Sequence, residues 1–275
     1  MIKKQRKYQS KKDPSYKIGP KKPAKKKQLG QHFLRKQSVV DHMIDKVKIT
    51  QQTTVMEIGC GDGFLTKSIL MQTKCKKLIV FEIDPQWAEF VQNEIKDPRL
   101  EINVENILDV DFKLVEKDAP FVLLANIPYQ ITFPIMFLLQ KNKQLFSEGV
   151  VMVQDEVAQK IAAKKGKKYS ATSLFLQYHF DFELMEKIGP ESFTPAPKVN
   201  SRLLYFKPKL TPPKIKDEDE FWKFLKLCFK FPRRTLQNNL KMAHYDLEKI
   251  TPEILKLRAQ QISFDQFLDI WNKLN

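Results

Sequence analysis

The chain has 275 residues, 42% hydrophobic and 29% charged, enough to bury one large core or two modest ones and too apolar for wholesale disorder. No apolar run reaches the roughly 18 residues of a membrane span, and the start lacks the apolar stretch of a secretory signal. Cys60, Cys75 and Cys228 are too few and too scattered for a disulfide framework or a zinc site, which points to a reducing, cytoplasmic setting and no metal.

The formal charge of +16 is unevenly spread: residues 1–27 hold a net +11, residues 28–207 a net +1 and residues 208–275 a net +4. A Lys-rich segment with Pro14, Pro20 and Pro23 predicts a disordered basic tail over 1–27. Such a tail is either a solvated arm or a nucleic-acid-binding arm. A mitochondrial transit peptide fits less well, because the segment is nearly Arg-free and has no amphipathic period.

From Gln28 onward the pattern changes. Val39, Val40, Met43, Ile44 and Val47 recur at helical spacing. Short apolar runs then alternate with helical ones: strands at Thr54–Ile58, Leu78–Phe81, Leu100–Val104, Phe121–Ala125 and Val150–Val153, and helices at Leu65–Met71, Trp87–Ile95, Ile131–Leu139 and Val157–Ala163. This alternation predicts a parallel, doubly wound α/β sheet of Rossmann-like form, completed by strands near Phe180–Met185 and Ser201–Phe206. Pro208, Pro212 and Pro213 mark a linker. Beyond it Phe221, Trp222, Leu225, Cys228 and Phe229, then Leu236 and Leu240, then Ile254–Trp271 read as helices, giving a small C-terminal helical domain over 208–275 after a cofactor-binding domain over 28–207.

The first chemical signal is Val55-Met56-Glu57-Ile58-Gly59-Cys60-Gly61-Asp62-Gly63-Phe64-Leu65, a strand running through a glycine loop into a helix. Glycines there permit positive φ and close approach of a ligand, but many nucleotide-binding folds share the feature. The second is Leu78-Ile79-Val80-Phe81-Glu82-Ile83-Asp84, a buried strand ending in acid, with Glu82 19 residues after Gly63. Glu82 at that tip would accept both hydroxyls of a ribose, in a nicotinamide enzyme as well as in others. Asp62 inside the loop would repel a pyrophosphate, which tilts the reading to S-adenosylmethionine, a cofactor with a cationic sulfonium and no phosphate. Asp84 before Pro85 reads as a helix cap.

The third signal is Asn126-Ile127-Pro128-Tyr129, just past the end of the strand Phe121–Ala125, where ligands sit in open α/β sheets. Adenine N6 is a poor nucleophile because its lone pair is delocalised into the ring. The Asn126 side-chain oxygen and the Ile127 carbonyl are two acceptors able to hold that amino group in line with a sulfonium methyl. Pro128 stiffens the turn, and the Tyr129 ring can stack on an unstacked base. Catalysis of this kind is mostly positioning.

These segments, with Leu29-Gly30-Gln31-His32-Phe33-Leu34, Val153-Gln154-Asp155-Glu156 and Phe193-Thr194-Pro195-Ala196-Pro197-Lys198-Val199-Asn200-Ser201, resemble the rRNA adenine N6,N6-dimethyltransferase family, from about Gln28 to Leu240. Phe133-Pro134-Ile135 and Phe231-Pro232-Arg233-Arg234-Thr235-Leu236 resemble its small-subunit branch. The resemblance implies that the cofactor contacts His32, Leu34, Gly59, Gly61, Glu82, Asn106 and Asn126, and that Phe193 sandwiches the target base opposite Tyr129. It implies small-subunit rRNA or a pre-small-subunit particle as partner and a monomer as the working form. The chain departs from the family where Asn106 replaces the usual Asp, Gln130 and Phe133 replace Asn and Thr, and Tyr169-Ser170-Ala171 replaces Tyr-Gly-Arg with loss of a cation. Lys164, Lys165, Lys167 and Lys168 form a basic cluster, and Arg233 and Arg234 open a helix. Lys164, Lys165, Lys168 and the arginine pair are the candidates for phosphate contact. His42, His179 and His244 show no spacing that suggests a role. The competing readings are a large-subunit adenine methyltransferase of the macrolide-resistance type, a non-catalytic ribosome-assembly or transcription factor on the same fold, and a DNA adenine methyltransferase.

Overall fold

The computed structural model describes residues 22–24, 26 and 30–275. Most of the basic tail expected over 1–27 therefore lies outside the described residues, as does Leu29.

Strands β2 (Thr54–Ile58), β3 (Lys77–Glu82), β4 (Leu100–Val104), β5 (Phe121–Asn126) and β6 (Phe146–Gln154) pair in parallel, in the spatial order β4-β3-β2-β5-β6. Their apolar residues divide with the period of two that a strand imposes. Val55, Leu78, Val80, Val122, Leu124, Val150 and Met152 join α1 (Gln37–Lys46), α2 (Phe64–Gln72) and α3 (Pro85–Glu94) in one core layer. Met56, Ile58, Ile79, Phe81, Leu123, Ala125, Val151 and Val153 join α4 (Thr132–Lys141), α5 (Asp155–Ile161) and α6 (Ala171–His179) in the other. Asp84 caps α3 as expected, accepting from the Gln86 N–H with Pro85 at the first helical position.

The sheet is not parallel throughout. Strands β7 (Phe180–Ile188) and β9 (Ser201–Pro208) extend it as β6-β9-β7, and β9 runs antiparallel to both neighbours. The physical reason is the connection: residues 189–200 between β7 and β9 contain no crossover helix, so the two strands return as a hairpin. That reversal matters for the site. Ser201 at the start of β9 sits beside Gln154 at the end of β6, which places the 189–200 connection at the C-terminal edge of the parallel strands. Within it β8 (Phe193–Thr194) pairs with β1 (Phe33–Leu34), tying the segment before α1 to the same edge.

The C-terminal region is helical, with α7 (Glu218–Cys228), α8 (Leu236–Leu240), α9 (Pro252–Lys256) and α10 (Phe264–Leu274). The run expected from Ile254 to Trp271 is broken: a 3-10 turn over Ala259–Gln261 follows α9, and Ser263 starts α10 afresh with a capping box to Gln266. These helices share an aromatic-rich core with Tyr169, Leu174 and Tyr178, the last two on α6, so packing crosses residue 208. Helix α6 itself is not apparent in the sequence reading. Ser170 caps it through a box with Ser173, which accounts structurally for a serine at that position.

Candidate active site

The glycine loop leaves β2 with Gly59, Gly61 and Gly63 all at positive φ. A Cβ on Gly61 would lie 2.6 Å from the Phe33 ring, so the loop and the β1 segment fit only with glycine there. A Cβ on Gly59 would meet nothing within 4 Å. The backbone at Gly59 thus faces open space, as a ligand lying against it requires.

Glu82 ends β3 and is 5% exposed. Its Oε2 accepts from the Gly61 N–H at 3.1 Å and its Oε1 from the Asp84 N–H at 2.9 Å. Burial pushes the carboxyl above its usual range, and the Asp84 and Gly61 N–H groups oppose that rise. Oε2 also accepts from the Cys60 thiol at 3.6 Å, which engages its second lone pair, so Oε1 keeps the free lone pair of a rigidly held acceptor.

Asn126 ends β5. Its Nδ2 donates to the His32 carbonyl at 2.9 Å. A carbonyl can only accept, so this bond fixes the amide orientation and leaves Oδ1 as the free acceptor. His32 is anchored in turn by Nδ1, which donates to the Pro195 carbonyl at 2.8 Å, and its ring stacks on Tyr129 with centroids 5.9 Å apart. The Tyr129 hydroxyl meets Ser201 Oγ at 2.7 Å. The Tyr129 ring is therefore held by both contacts.

One cavity of about 220 Å³ is lined by His32, Gly59, Gly61, Glu82, Asn106, Asn126, Ile127, Pro128 and Tyr129 together. Leu34 and Phe193 do not line it. They pair across β1 and β8, are each 5% exposed, and pack into the core beneath. Asn106 at the end of β4 donates from Nδ2 to Asp109 at 2.8 Å, while its Oδ1 accepts from the Leu108 N–H at 3.2 Å. Among the described residues no group of three or more His, Cys, Asp or Glu is placed to hold a metal ion.

Asp62 does not carry a bare charge into the loop. Its carboxylate pairs with Arg35 at 2.8 Å and Lys22 at 3.3 Å, and Lys26 pairs with Asp84 at 2.9 Å. The loop acid is compensated, so its bare charge does not separate one cofactor from another, and that distinction falls to the Asn126–Tyr129 turn.

Lys164, Lys165 and Lys168 lie on an exposed loop between α5 and α6. Arg233 and Arg234 are exposed but precede helix α8 rather than open it, because Thr235 is the cap. Their turn is pinned from inside by Asn239, fully buried, whose side chain bonds the Phe231 N–H and the Cys228 and Phe231 carbonyls. The Arg234 guanidinium lies 4.3 Å from the Phe231 ring centroid. Sequence reading passes over Asn239 and gives Ser201 no role. The only local signal for either is a polar residue inside an apolar or strand pattern.

A glycine loop, a buried acid at the end of the next strand and the Asn126–Tyr129 turn beyond β5, all opening into one cavity, have the layout of a Rossmann-like methyltransferase. Residues 23–275 match the model of the ribosomal RNA adenine dimethylase family, and the chain belongs to that family. It is 34% identical over 252 residues to ribosomal RNA small subunit methyltransferase A of Chlorobium phaeobacteroides, covering 91% of each chain. It is 38% identical over 220 residues to the protein of the same name from Mesomycoplasma hyopneumoniae, covering 80% of this chain and 82% of that one. Among solved structures, a dimethyladenosine transferase from Plasmodium falciparum superposes with a TM-score of 0.73 at 26% identity, over 87% of this chain and 96% of that one. The 23S rRNA methyltransferase ErmE shares the fold, with a TM-score of 0.73 at 21% identity, over 88% of this chain and 99% of that one. The protein is an enzyme of the rRNA adenine dimethyltransferase kind. Methyltransferases of this kind use S-adenosylmethionine. No helix among the described residues is long and apolar enough to cross a membrane.

Proposed function

We propose that this chain dimethylates adenine N6 in small-subunit ribosomal RNA, with S-adenosylmethionine lying across the strand ends from β4 to β5. The observation that carries the reading is the order of polar groups along that edge: Asn106 just past β4, Glu82 at the end of β3, the glycine loop just past β2 and Asn126 at the end of β5. Neighbouring strands lie about 4.8 Å apart, so the row spans about 14 Å, the reach of an extended nucleoside joined to an amino acid. Asn106 would hold the adenine, Glu82 the ribose, and the Gly59 and Gly61 backbone the methionyl part, with Asn126 next to the methyl donor. His32 closes this end through its contacts to Asn126 and Tyr129, and Leu34 supports it from the core.

S-adenosylmethionine supplies an electrophilic methyl group on a sulfonium. Asn126 Oδ1 and the Ile127 carbonyl accept from the two N6–H groups of the target adenine and turn its nitrogen lone pair toward that methyl. Pro128 holds the turn, and the Tyr129 ring, fixed by Ser201 and His32, stacks on the base. As the N–CH3 bond forms the S–CH3 bond breaks and the nitrogen gives up one proton to solvent; the N–H that remains can still be held by one acceptor, which allows a second transfer. Phe193 acts here as support for His32 and Leu34 through the β1–β8 pairing; stacking on the base would require it to leave the core.

Arg233, Arg234 and the exposed Lys164, Lys165 and Lys168 contact phosphates and position the RNA without reading its sequence. The unit over 28–207 carries the chemistry and the helical region over 208–275 helps to hold the RNA. The working form is a cytoplasmic monomer acting on small-subunit rRNA or a pre-small-subunit particle. The small-subunit choice is supported by the relatives named above.

The test is incubation of the full chain with labelled S-adenosylmethionine and each separate rRNA or ribosomal subunit, followed by nucleoside analysis. N6,N6-dimethyladenosine in small-subunit RNA alone is the expected result. Label confined to large-subunit RNA, or no transfer to any of these substrates, would contradict it.

A further inference from the structure

The glycine loop is the part of the cofactor site that is hardest to hold still. Gly59, Gly61 and Gly63 all sit at positive φ, and glycine gives up more conformational freedom on ordering than any other residue. Between Gly59 and Gly63 the one charged residue is Asp62, whose side chain is 6% exposed. Arg35 meets it with a fork: Nη1 donates to Oδ1 at 3.1 Å, and Nη2 pairs with Oδ2 at 2.8 Å. The same guanidinium lies 5.5 Å from the centroid of the Phe33 ring, against which Gly61 packs. Arg35 is itself fixed from the other side. Its N–H donates to the Ser192 carbonyl at 2.8 Å, and Phe33 and Leu34 before it pair with β8. Neither Arg35 nor Asp62 lines the cavity, whereas Gly59, Gly61 and Phe33 do.

We infer that Arg35 is a positioning residue for the cofactor: by gripping Asp62 it clamps the glycine loop against the Phe33 wall in the shape that receives the ligand. The inference rests on the placement of the methionyl part over Gly59 and Gly61. A two-point arginine–carboxylate pair fixes direction as well as distance, which a single ammonium does not. Lys22 also reaches Asp62, at 3.3 Å, but its side chain is 66% exposed and its share is small. The clamp acts on one wall only. His32, which holds Asn126 and stacks on Tyr129, keeps its own bond to the Pro195 carbonyl and its place beside the β1–β8 pair whether or not Asp62 is gripped. Loss of the clamp therefore loosens the cofactor and leaves the transfer step intact.

The test is calorimetric binding of S-adenosylhomocysteine, with the single-turnover rate at saturating S-adenosylmethionine, for the full chain and its variants. Arg35→Gln should weaken binding about fivefold, while the saturated rate stays within about twofold of the parent. Arg35→Lys keeps the charge without the fork, and its affinity should fall between those of Arg35→Gln and the parent. Asp62→Asn should cost as much as Arg35→Gln, and the double variant no more than either alone, because a single shared contact is lost. Unchanged affinity in Arg35→Gln, with or without a lower melting temperature, would make Arg35 a brace of the fold only and overturn the inference. Losses that multiply in the double variant, or a saturated rate that falls as far as the affinity, would overturn it as well. Glu82→Ala reports separately on the site: unchanged affinity in that variant would overturn the placement of the cofactor, and the inference with it.

Discussion

The two walls of the cavity solve the same problem with different chemistry. On the β3 wall a buried carboxylate, Glu82, is held by donors, the Gly61 and Asp84 N–H groups. On the β5 wall a neutral amide, Asn126, is held by an acceptor, the His32 carbonyl. Both devices leave a fixed acceptor pointing into the cavity. On the function proposed above, the charge suits the grip of ribose hydroxyls in the ground state, because charge-assisted hydrogen bonds are the strong ones. The neutral oxygen suits the alignment of an amino group for reaction, since its contribution lies in direction rather than grip. The wall with the carboxylate should therefore govern affinity and the wall with the amide should govern rate.

The largest effect expected is at Asn126. Asn126→Ala should lower the single-turnover rate by on the order of 10²-fold or more, while cofactor affinity stays within about an order of magnitude. Rapid-quench methyl transfer and calorimetry on the same preparation would check both halves. Glu82→Ala should act the other way, costing roughly 1.5–3 kcal/mol of cofactor binding, about ten- to a hundredfold or slightly more in Kd.

Ser201 sharpens the β5 side. Its hydroxyl anchors the Tyr129 ring from a fully buried position, so Ser201→Ala leaves the tyrosine hydroxyl without that partner. The expected loss is about 1 kcal/mol, a several-fold fall in kcat/KM for RNA with cofactor affinity unchanged. Equal losses in both quantities would show that Ser201 supports the whole edge rather than the ring.

Glu57 provides a contrast in residue type and should have the smallest effect on activity. It lies on β2, fully buried, with only the Thr66 hydroxyl beside it to oppose the cost of burial. Burial raises its pKa to about 8, so it stays largely protonated at neutral pH, whereas Glu82 has backbone donors that favour its charged form. Because the folded state holds this proton to higher pH than the unfolded chain does, Glu57 makes stability fall as pH rises from about 4.5 to about 8. Glu57→Gln should remove that slope, gaining on the parent protein across the window, with turnover little changed. Denaturant melts at several pH values would check it, and parallel stability curves for the two proteins would contradict it.

What the sequence discloses about this site is what local order along the chain encodes. The glycine loop, the acid at Glu82 and the Asn126–Tyr129 turn each follow directly from a strand end, so a period and a turn signal suffice to place them. The cap at Asp84 is legible for the same reason. The rest depends on segments far apart in sequence. The β1–β8 pairing joins residues about 160 apart, and nothing in a two-residue strand announces it. The reversal of β9 that brings Ser201 to Tyr129 follows from a helix-free connection, not from strand composition. Phe193 reads as a base-stacking ring by resemblance, yet its pairing with Leu34 places it in the core. The turn that presents Arg233 and Arg234 is set by buried Asn239 from the following helix.

The division of labour between the two walls is tested most directly by the single-turnover rate of Glu82→Ala at saturating S-adenosylmethionine. If Glu82 only grips the cofactor, saturation restores the rate to within a few-fold of the parent, while Asn126→Ala stays slow under the same conditions. A Glu82→Ala rate that remains as low as that of Asn126→Ala, with cofactor binding shown to be complete, would contradict the account.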